Sequence, residues 1–295
     1  MTEVSTDFRD AIRAAGLEPP DYIEPGRLHR FPGYGKGPSN RAGWCKLFDD
    51  CRAGCFGDWS SGLSTTWFPK QDGSGARREK ALLSAQIEAA KSQAARSQRN
   101  RHLEAASRAR KIWDTASSAP VDHAYLAAKS ITAHNARIHN GWLVLPVTDF
   151  RGFLSSLQFI APDGRKRLLS GGRKQGCFIA VGGNEGEPQR VIICEGWATG
   201  CTLAEDDPGA LVLAAIDAGN LMPVATEARC RWPSAELVIA GDDDRLSPGN
   251  PGATKAVAAA IASDALVALP EWPADAPERL TDFNDLAQWL KRGDA

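Results

Sequence analysis

The chain has 295 residues, 43% of them hydrophobic and 24% charged, with a net charge of −1; such a sequence can bury a real core and is not a disordered tail. No apolar run approaches the roughly 20 residues that cross a bilayer, and the polar, mixed-charge start Met1–Asp10 is unlike a signal peptide, so a cytoplasmic protein with no membrane partner is expected. The seven cysteines are an odd number scattered from Cys45 to Cys230, which fits reduced thiols better than a disulfide framework.

Residues 1–69 carry Gly, Pro and aromatics at high density around short alternating stretches, Gly43–Phe48 and Cys55–Trp59. Turn residues between short apolar pieces predict a small β-rich module. Cys45, Cys51 and Cys55 with His29 upstream offer three thiolates and an imidazole, but their spacing is not the close cysteine pair of a zinc knuckle, so zinc is not expected there. In so small a module Trp44, Phe48, Phe56, Trp59 and Trp67 are expected chiefly in the core. Arg41 and Lys46 would meet phosphates beside any ring that stacks on a single strand.

Residues 70–118 read as a basic helical linker. From Lys70 to Lys111 there are eleven Lys and Arg against four Asp and Glu, in a proline-free run of strong helix formers without a large apolar face. A third segment, 119–188, begins with helical His123–Leu126 and continues with strands at Trp142–Val147 and Leu154–Ile160, joined by a turn at Asp149–Gly152. Arg165, Lys166, Arg167, Arg173 and Lys174 then form a basic cluster suited to a polyphosphate or a DNA backbone. Beside the Asp163–Gly164 turn such charges also have an ordinary reading as solvated surface. His123, His134 and His139 have no spacing that defines a metal site or a triad.

From 189 to 295 apolar strand-like runs alternate with Ala-rich helical stretches, which predicts a parallel sheet with helices on its faces. The fold class is therefore α/β here and α+β for the whole chain. This part is acidic, with seven basic residues against seventeen acidic ones from Glu195 to Ala295. Ligand sites of open α/β sheets lie beyond the carboxyl ends of the strands. Two such ends carry acid: Val191–Cys194 runs into Glu195, and Leu237–Gly241 runs into Asp242, Asp243 and Asp244. Singly, each acid would serve as a helix cap or turn residue. Together on one rim they repel unless a cation sits among them, and hard oxygen ligands suit Mg²⁺ or Mn²⁺. Asp242 and Asp244 share a face if the strand continues, whereas Asp243 points away. Glu195, Asp242 and Asp244 are thus the expected metal-holding set.

Glu195-Gly196-Trp197-Ala198-Thr199-Gly200 after one strand and Asp242-Asp243-Asp244 after a later one resemble the Toprim domain, in the form found in primases of plasmids, phages and other mobile elements. Asp217-Ala218-Gly219-Asn220-Leu221, Asn250-Pro251-Gly252 and Asp282-Phe283-Asn284-Asp285-Leu286 are similar to that branch too, over about residues 120–290. The resemblance implies a Rossmann-like Toprim domain at 189–295, a mixed primase-core subdomain at 119–188 and a zinc-ribbon-like N-terminal module. Arg165–Ser170 is similar to a primase motif whose lysine, here Lys166, contacts nucleotide or template phosphates. The implied activity is RNA primer synthesis from ribonucleoside triphosphates on single-stranded DNA. Glu195, Asp242 and Asp244 would be catalytic, and Asp217, Asp282 and Asp285 outer contributors. A Toprim nuclease and a non-catalytic, single-stranded-DNA-binding or helicase-loading accessory protein are the alternatives. A topoisomerase is disfavoured because Tyr22, Tyr34 and Tyr125 are the only tyrosines and none has a cleavage context. Without a phosphate-binding Gly-x-x-x-x-Gly-Lys-Ser/Thr run, any helicase is expected to be a separate partner.

Overall fold

The computed structural model describes residues 3–69, 74–183 and 186–293. Residues 70–73, where the expected linker begins, lie outside the described residues. The chain separates into two compact units, Met1–Gln93 and Ala94–Ala295.

In the first unit helix α1 (Glu3–Ala14) precedes strands β1 (His29–Phe31), β2 (Gly43–Leu47), β3 (Gly54–Asp58) and β4 (Leu63–Trp67). The strands form one antiparallel sheet in chain order. Helix α1 stands where only a β-rich module is expected. Phe8 and Ile12, four apart on one helical face, are fully buried with Ile23, Leu47 and Phe56. Gly54 lets α1 lie directly on the sheet, since a Cβ there would come within 2.6 Å of the Phe8 ring. Asp58, 1% exposed, closes the turn after β3 by accepting from the Tyr34 N–H at 3.0 Å and from the Ser60 N–H and hydroxyl at 2.8 and 2.7 Å. Three of the five aromatics expected in the core, Trp44, Phe48 and Trp59, are not part of it. Strand alternation points Cys45 and Leu47 inward and Trp44 outward, where Trp44 stacks on Trp59 (5.4 Å, 27°) and Arg30 covers the Trp59 ring at 3.9 Å.

Helix α2 (Ser74–Thr115) is the long helix of the basic stretch. Its last turns are not a solvated spacer: Ala105 and Ala109 are fully buried, and Ala109 packs with Val144, Leu157 and Phe159. Small residues four apart make a narrow apolar stripe, invisible to a reading that looks for large side chains.

The second unit continues with β5 (Ser117–Ser118), α3 (Ala124–Lys129), β6 (Arg137–His139), β7 (Trp142–Thr148), β8 (Leu154–Ile160) and β9 (Lys166–Leu168). These strands make an antiparallel sheet in chain order. There follow β10 (Ile179–Gly182), β11 (Arg190–Cys194), α4 (Trp197–Asp206), β12 (Leu211–Ala214), α5 (Leu221–Arg231), β13 (Glu236–Ala240), α6 (Pro251–Ser263), β14 (Leu266–Ala268) and α7 (Phe283–Gly293). The second sheet has the order β10-β12-β11-β13-β14, parallel except for β10 at one edge. One face is covered by α4 through Trp197, Ala198 and Cys201, the other by α5 and α6 through Val224, Ala225 and Ala256. Burial on both faces is why β11, β12 and β13 read as continuous apolar runs. Thr148 and Phe178 exchange backbone hydrogen bonds of 2.9 Å, which tie the antiparallel sheet to the segment entering β10.

Candidate active site

The C-terminal ends of β11, β12 and β13 each release a loop that carries acid. After Cys194 the chain turns at Glu195 into α4, whose N-cap is Gly196 in extended conformation. Burial raises the Glu195 pKa first, then Asp244 and Asp217 add to the rise, and the nearby Ala218 amide opposes it. After Ala240 the packing is tight. A Cβ on Gly241 would approach Ala256 to 2.5 Å, and one on Gly252 would approach the Asp242 carbonyl to 2.5 Å. Only glycines admit α6 this close, and its first turn then reaches the acid loop.

The three consecutive aspartates go three ways. Asp242 is pushed up to about 8, by burial first and then by Glu195, Asp282 and Asp244; its buried Oδ1 has no hydrogen-bond partner. Asp244 accepts from the Gly252 N–H at 2.9 Å at the start of α6, where the helix dipole favours negative charge. Asp243 turns from both: it accepts from the Trp272 indole at 2.9 Å and the Asn250 amide at 2.7 Å. Arg245 lies 3.6 Å from Asp243 and stacks on Trp272. Asp282 is raised as well, by burial and then Asp285, and it caps α7 by accepting the Asp285 N–H at 2.8 Å.

Lys166 meets this acidic rim from β9. By area the residue is exposed, yet dense protein around its ammonium lowers its pKa, burial first and then Lys129, against the pull of Asp282, Asp242 and Glu195. Its neighbours alternate away from the rim. Arg165 pairs with Asp163 at 2.7 Å, and Arg167 covers Trp142 at 4.6 Å. Arg173 pairs with Asp149 at 2.6 Å, whereas Lys174 is ion-paired with Asp217. Of the five basic residues singled out by sequence, Lys166 and Lys174 thus face the acid loops and the three arginines do not.

Two further participants are not among the expected site residues. Lys129, at the end of α3, lies 3.4 Å from Asp285 and bears on Lys166. Asn220, 2% exposed, binds the loop of Lys174 to that of Asp217. Its place in the Asp217–Leu221 motif was visible; its burial was not.

Among the described residues, no three His, Cys, Asp or Glu side chains are gathered tightly enough to enclose a metal ion. The donors still fit a hard cation of the Mg²⁺ kind, which keeps several waters and is held by one or two carboxylates plus substrate phosphates. A buried carboxylate oxygen with no donor and neighbours of like charge, as at Asp242, is what such an ion would satisfy.

Residues 190–293 match the Toprim domain family. A DNA primase TraC of Escherichia coli is 33% identical over 274 residues, which cover 87% of this chain and 19% of that protein. A second DNA primase TraC of Escherichia coli is 43% identical over 124 residues, 40% of this chain and 12% of that protein. The chain thus spans less than a fifth of the length of these relatives. Among solved structures, the DnaG primase catalytic domain bound to ssDNA is similar at a TM-score of 0.46 and 11% identity, covering 67% of this chain and 77% of that one. The primase fragment of the Bacteriophage T7 primase-helicase protein is similar at 0.40 and 13%, covering 89% and 95%. Likenesses this loose do not bear on function.

Proposed function

We propose that this chain, whose residues 190–293 are a Toprim domain, is a DNA primase of the mobile-element type that joins ribonucleoside triphosphates into short primers on single-stranded DNA. The observation that carries the reading is the gathering of Glu195 and Asp242, at strand ends, with Asp282, at the start of α7, around Lys166, in a chain that aligns over 87% of its length with a DNA primase TraC.

Phosphoryl transfer asks a protein mainly for positioning and charge neutralisation. Asp242 and Asp244, with Glu195, would hold Mg²⁺ or Mn²⁺, which when bound neutralises the triphosphate and the departing pyrophosphate. Glu195 sits above the usual carboxylate range and so is suited to take the proton of the attacking 3′-hydroxyl if it does not itself serve as a ligand. Lys166 supplies a mobile cation to the phosphates beside those acids. Lys174, with Asp217 as counter-ion, is the second nucleotide or template contact. Arg165, Arg167 and Arg173 stand further out and contribute field along a template path rather than direct contact. The partners of this activity are a single-stranded template, ribonucleotides and a helicase on a separate chain, all in the cytoplasm; among the described residues no helix is long and apolar enough to cross a membrane.

The test is incorporation of labelled ribonucleotides on mixed-sequence single-stranded DNA with Mg²⁺ or Mn²⁺, for wild type and Asp242→Asn/Asp244→Asn. Short products lost in the double variant support the reading. Template binding without product, on every sequence tried, would replace it with the accessory role.

A further inference from the structure

We propose that Asn220 is a positioning residue that sets two groups of the nucleotide-joining site at once, the Lys174–Asp217 pair and the Ala218 amide beside Glu195. The role in turnover rests on the primase reading; the role in holding the loops does not.

Asn220 ends the short 3-10 turn Ala218–Asn220 and is 2% exposed. Its Oδ1 accepts from the Gly176 N–H at 2.9 Å. Its Nδ2 donates to the carbonyls of Cys177 at 2.8 Å and Ala215 at 2.9 Å, with a longer contact of 3.2 Å to that of Lys174. One buried amide therefore joins residues 174–177, which lead into β10, to residues 215–220, which leave β12. A fully satisfied buried polar group specifies one arrangement and is costly to leave half-made.

What lies between those bonds is chemical. The loop out of β12 brings the Ala218 amide toward Glu195 and carries Asp217, the partner of Lys174. It is also strained: Ile216 has a φ of +79°, a conformation that a β-branched residue avoids. Such a conformation persists only where the surroundings over-determine it. The bond from Asn220 to the Ala215 carbonyl holds the residue just before the strained one, and the Asn220 N–H closes on the Asp217 carbonyl at 3.0 Å just after it. Freed from Asn220, the loop relaxes, and the Ala218 amide and Asp217 move together.

The experiment compares wild type, Asn220→Ala and Val224→Ala. Val224 is a fully buried residue of helix α5, so its truncation is a stability control that breaks none of the hydrogen bonds of Asn220. Primer synthesis is measured well below each melting temperature, as kcat and as KM for ribonucleotide, alongside amide hydrogen exchange over residues 174–178 and 215–220. A misplacement on the scale of 1 Å costs about 100-fold in rate. Asn220→Ala is expected to lose about that in kcat, whereas Val224→Ala stays within about threefold of wild type, the spread left to a change that misplaces nothing. Exchange at Gly176 and Ala218 should quicken about tenfold in Asn220→Ala alone, the loss of one net hydrogen bond. Equal losses in both variants, or unchanged exchange at Ala218, would overturn the proposal. If the wild type makes no primers the primase reading falls, and exchange at Gly176 and Ala218 alone decides whether Asn220 positions the loops.

Discussion

Asp242 is where the residue scale is most informative. The fold leaves its Oδ1 buried without a donor and surrounds it with Glu195, Asp282 and Asp244, an arrangement that favours an added cation and penalises an empty site. Asp242→Asn removes that repulsion and is expected to raise the stability of the metal-free protein by about 1–3 kcal/mol, a few degrees for a unit of this size, while abolishing primer synthesis. Adding Mg²⁺ should raise the melting temperature of wild type but not of the variant; equal shifts in a thermal scan would remove Asp242 from the metal set. Asp58 makes the opposite case. Its pKa is lowered, chiefly by the Ser60 hydroxyl and despite burial, with the Tyr34 and Ser60 amides adding to it. A carboxyl lowered in the folded state stabilises above its unfolded value of about 4 and ceases to as pH falls through the folded one. Asp58→Asn should therefore weaken the first unit by about 1–3 kcal/mol at pH 7, and the gap to wild type should close below about pH 4 in denaturant titrations. A gap that persists at acid pH would refute the charge argument. Both aspartates were plain in the sequence, but only Asp242 carried a strand-end context. Asp58 lay in the stretch Cys55–Trp59 with nothing to mark which side chain closes the turn after it.

Elements were legible where burial on both faces wrote long apolar runs. Leu237–Ala240 and the helix after it could be placed because α/β packing repeats, and the acids at the strand ends came with them. Shorter or one-sided elements were not. Helix α1 buries Phe8 and Ile12 on one side only, and β10 is an antiparallel edge that no crossover announces. Strand β9 shows how an element sorts side chains that a charge cluster lumps together. Lys166 points to the carboxylates, and Arg167 points to Trp142 and Phe159 on the other side. Lys166→Ala is expected to raise KM for ribonucleotide at least tenfold, the order of one charge-assisted contact, whereas Arg167→Ala should change it by less than about threefold, within the range of a surface substitution. Steady-state kinetics of the two variants side by side decides it, and equal effects would mean that strand alternation does not govern the site. The same logic applies to α6. Gly252→Ala drives a Cβ to 2.5 Å from the Asp242 carbonyl, which must move the acid loop at a cost of about 1–3 kcal/mol.

Two compact units in one chain mean that stability and chemistry need not fail together. The first unit rests on a small core of which Phe8 is a central part, fully buried beneath the sheet and 5.1 Å from Trp67 in ring contact. A core this size leaves little margin, so loss of one large ring, worth about 3–5 kcal/mol, exceeds what such a unit can spare. The second unit has its own two cores against the parallel sheet and contains every residue proposed to hold metal or nucleotide. Phe8→Ala is therefore expected to abolish the lower of two calorimetric transitions and leave the upper one, with its Mg²⁺-induced shift, in place. Priming then separates two roles for the first unit. If the variant still extends ribonucleotides on a template, the first unit is dispensable for joining. If priming is lost while the Mg²⁺ shift survives, the first unit acts before chemistry, at the template, and the outward Trp44–Trp59 stack with Arg30 above it is the surface to mutate next, because stacked aromatics beside a cation hold single-stranded bases without reading their sequence. A single transition abolished as a whole would show that the two units unfold as one, and that the chemistry of the second depends on the fold of the first.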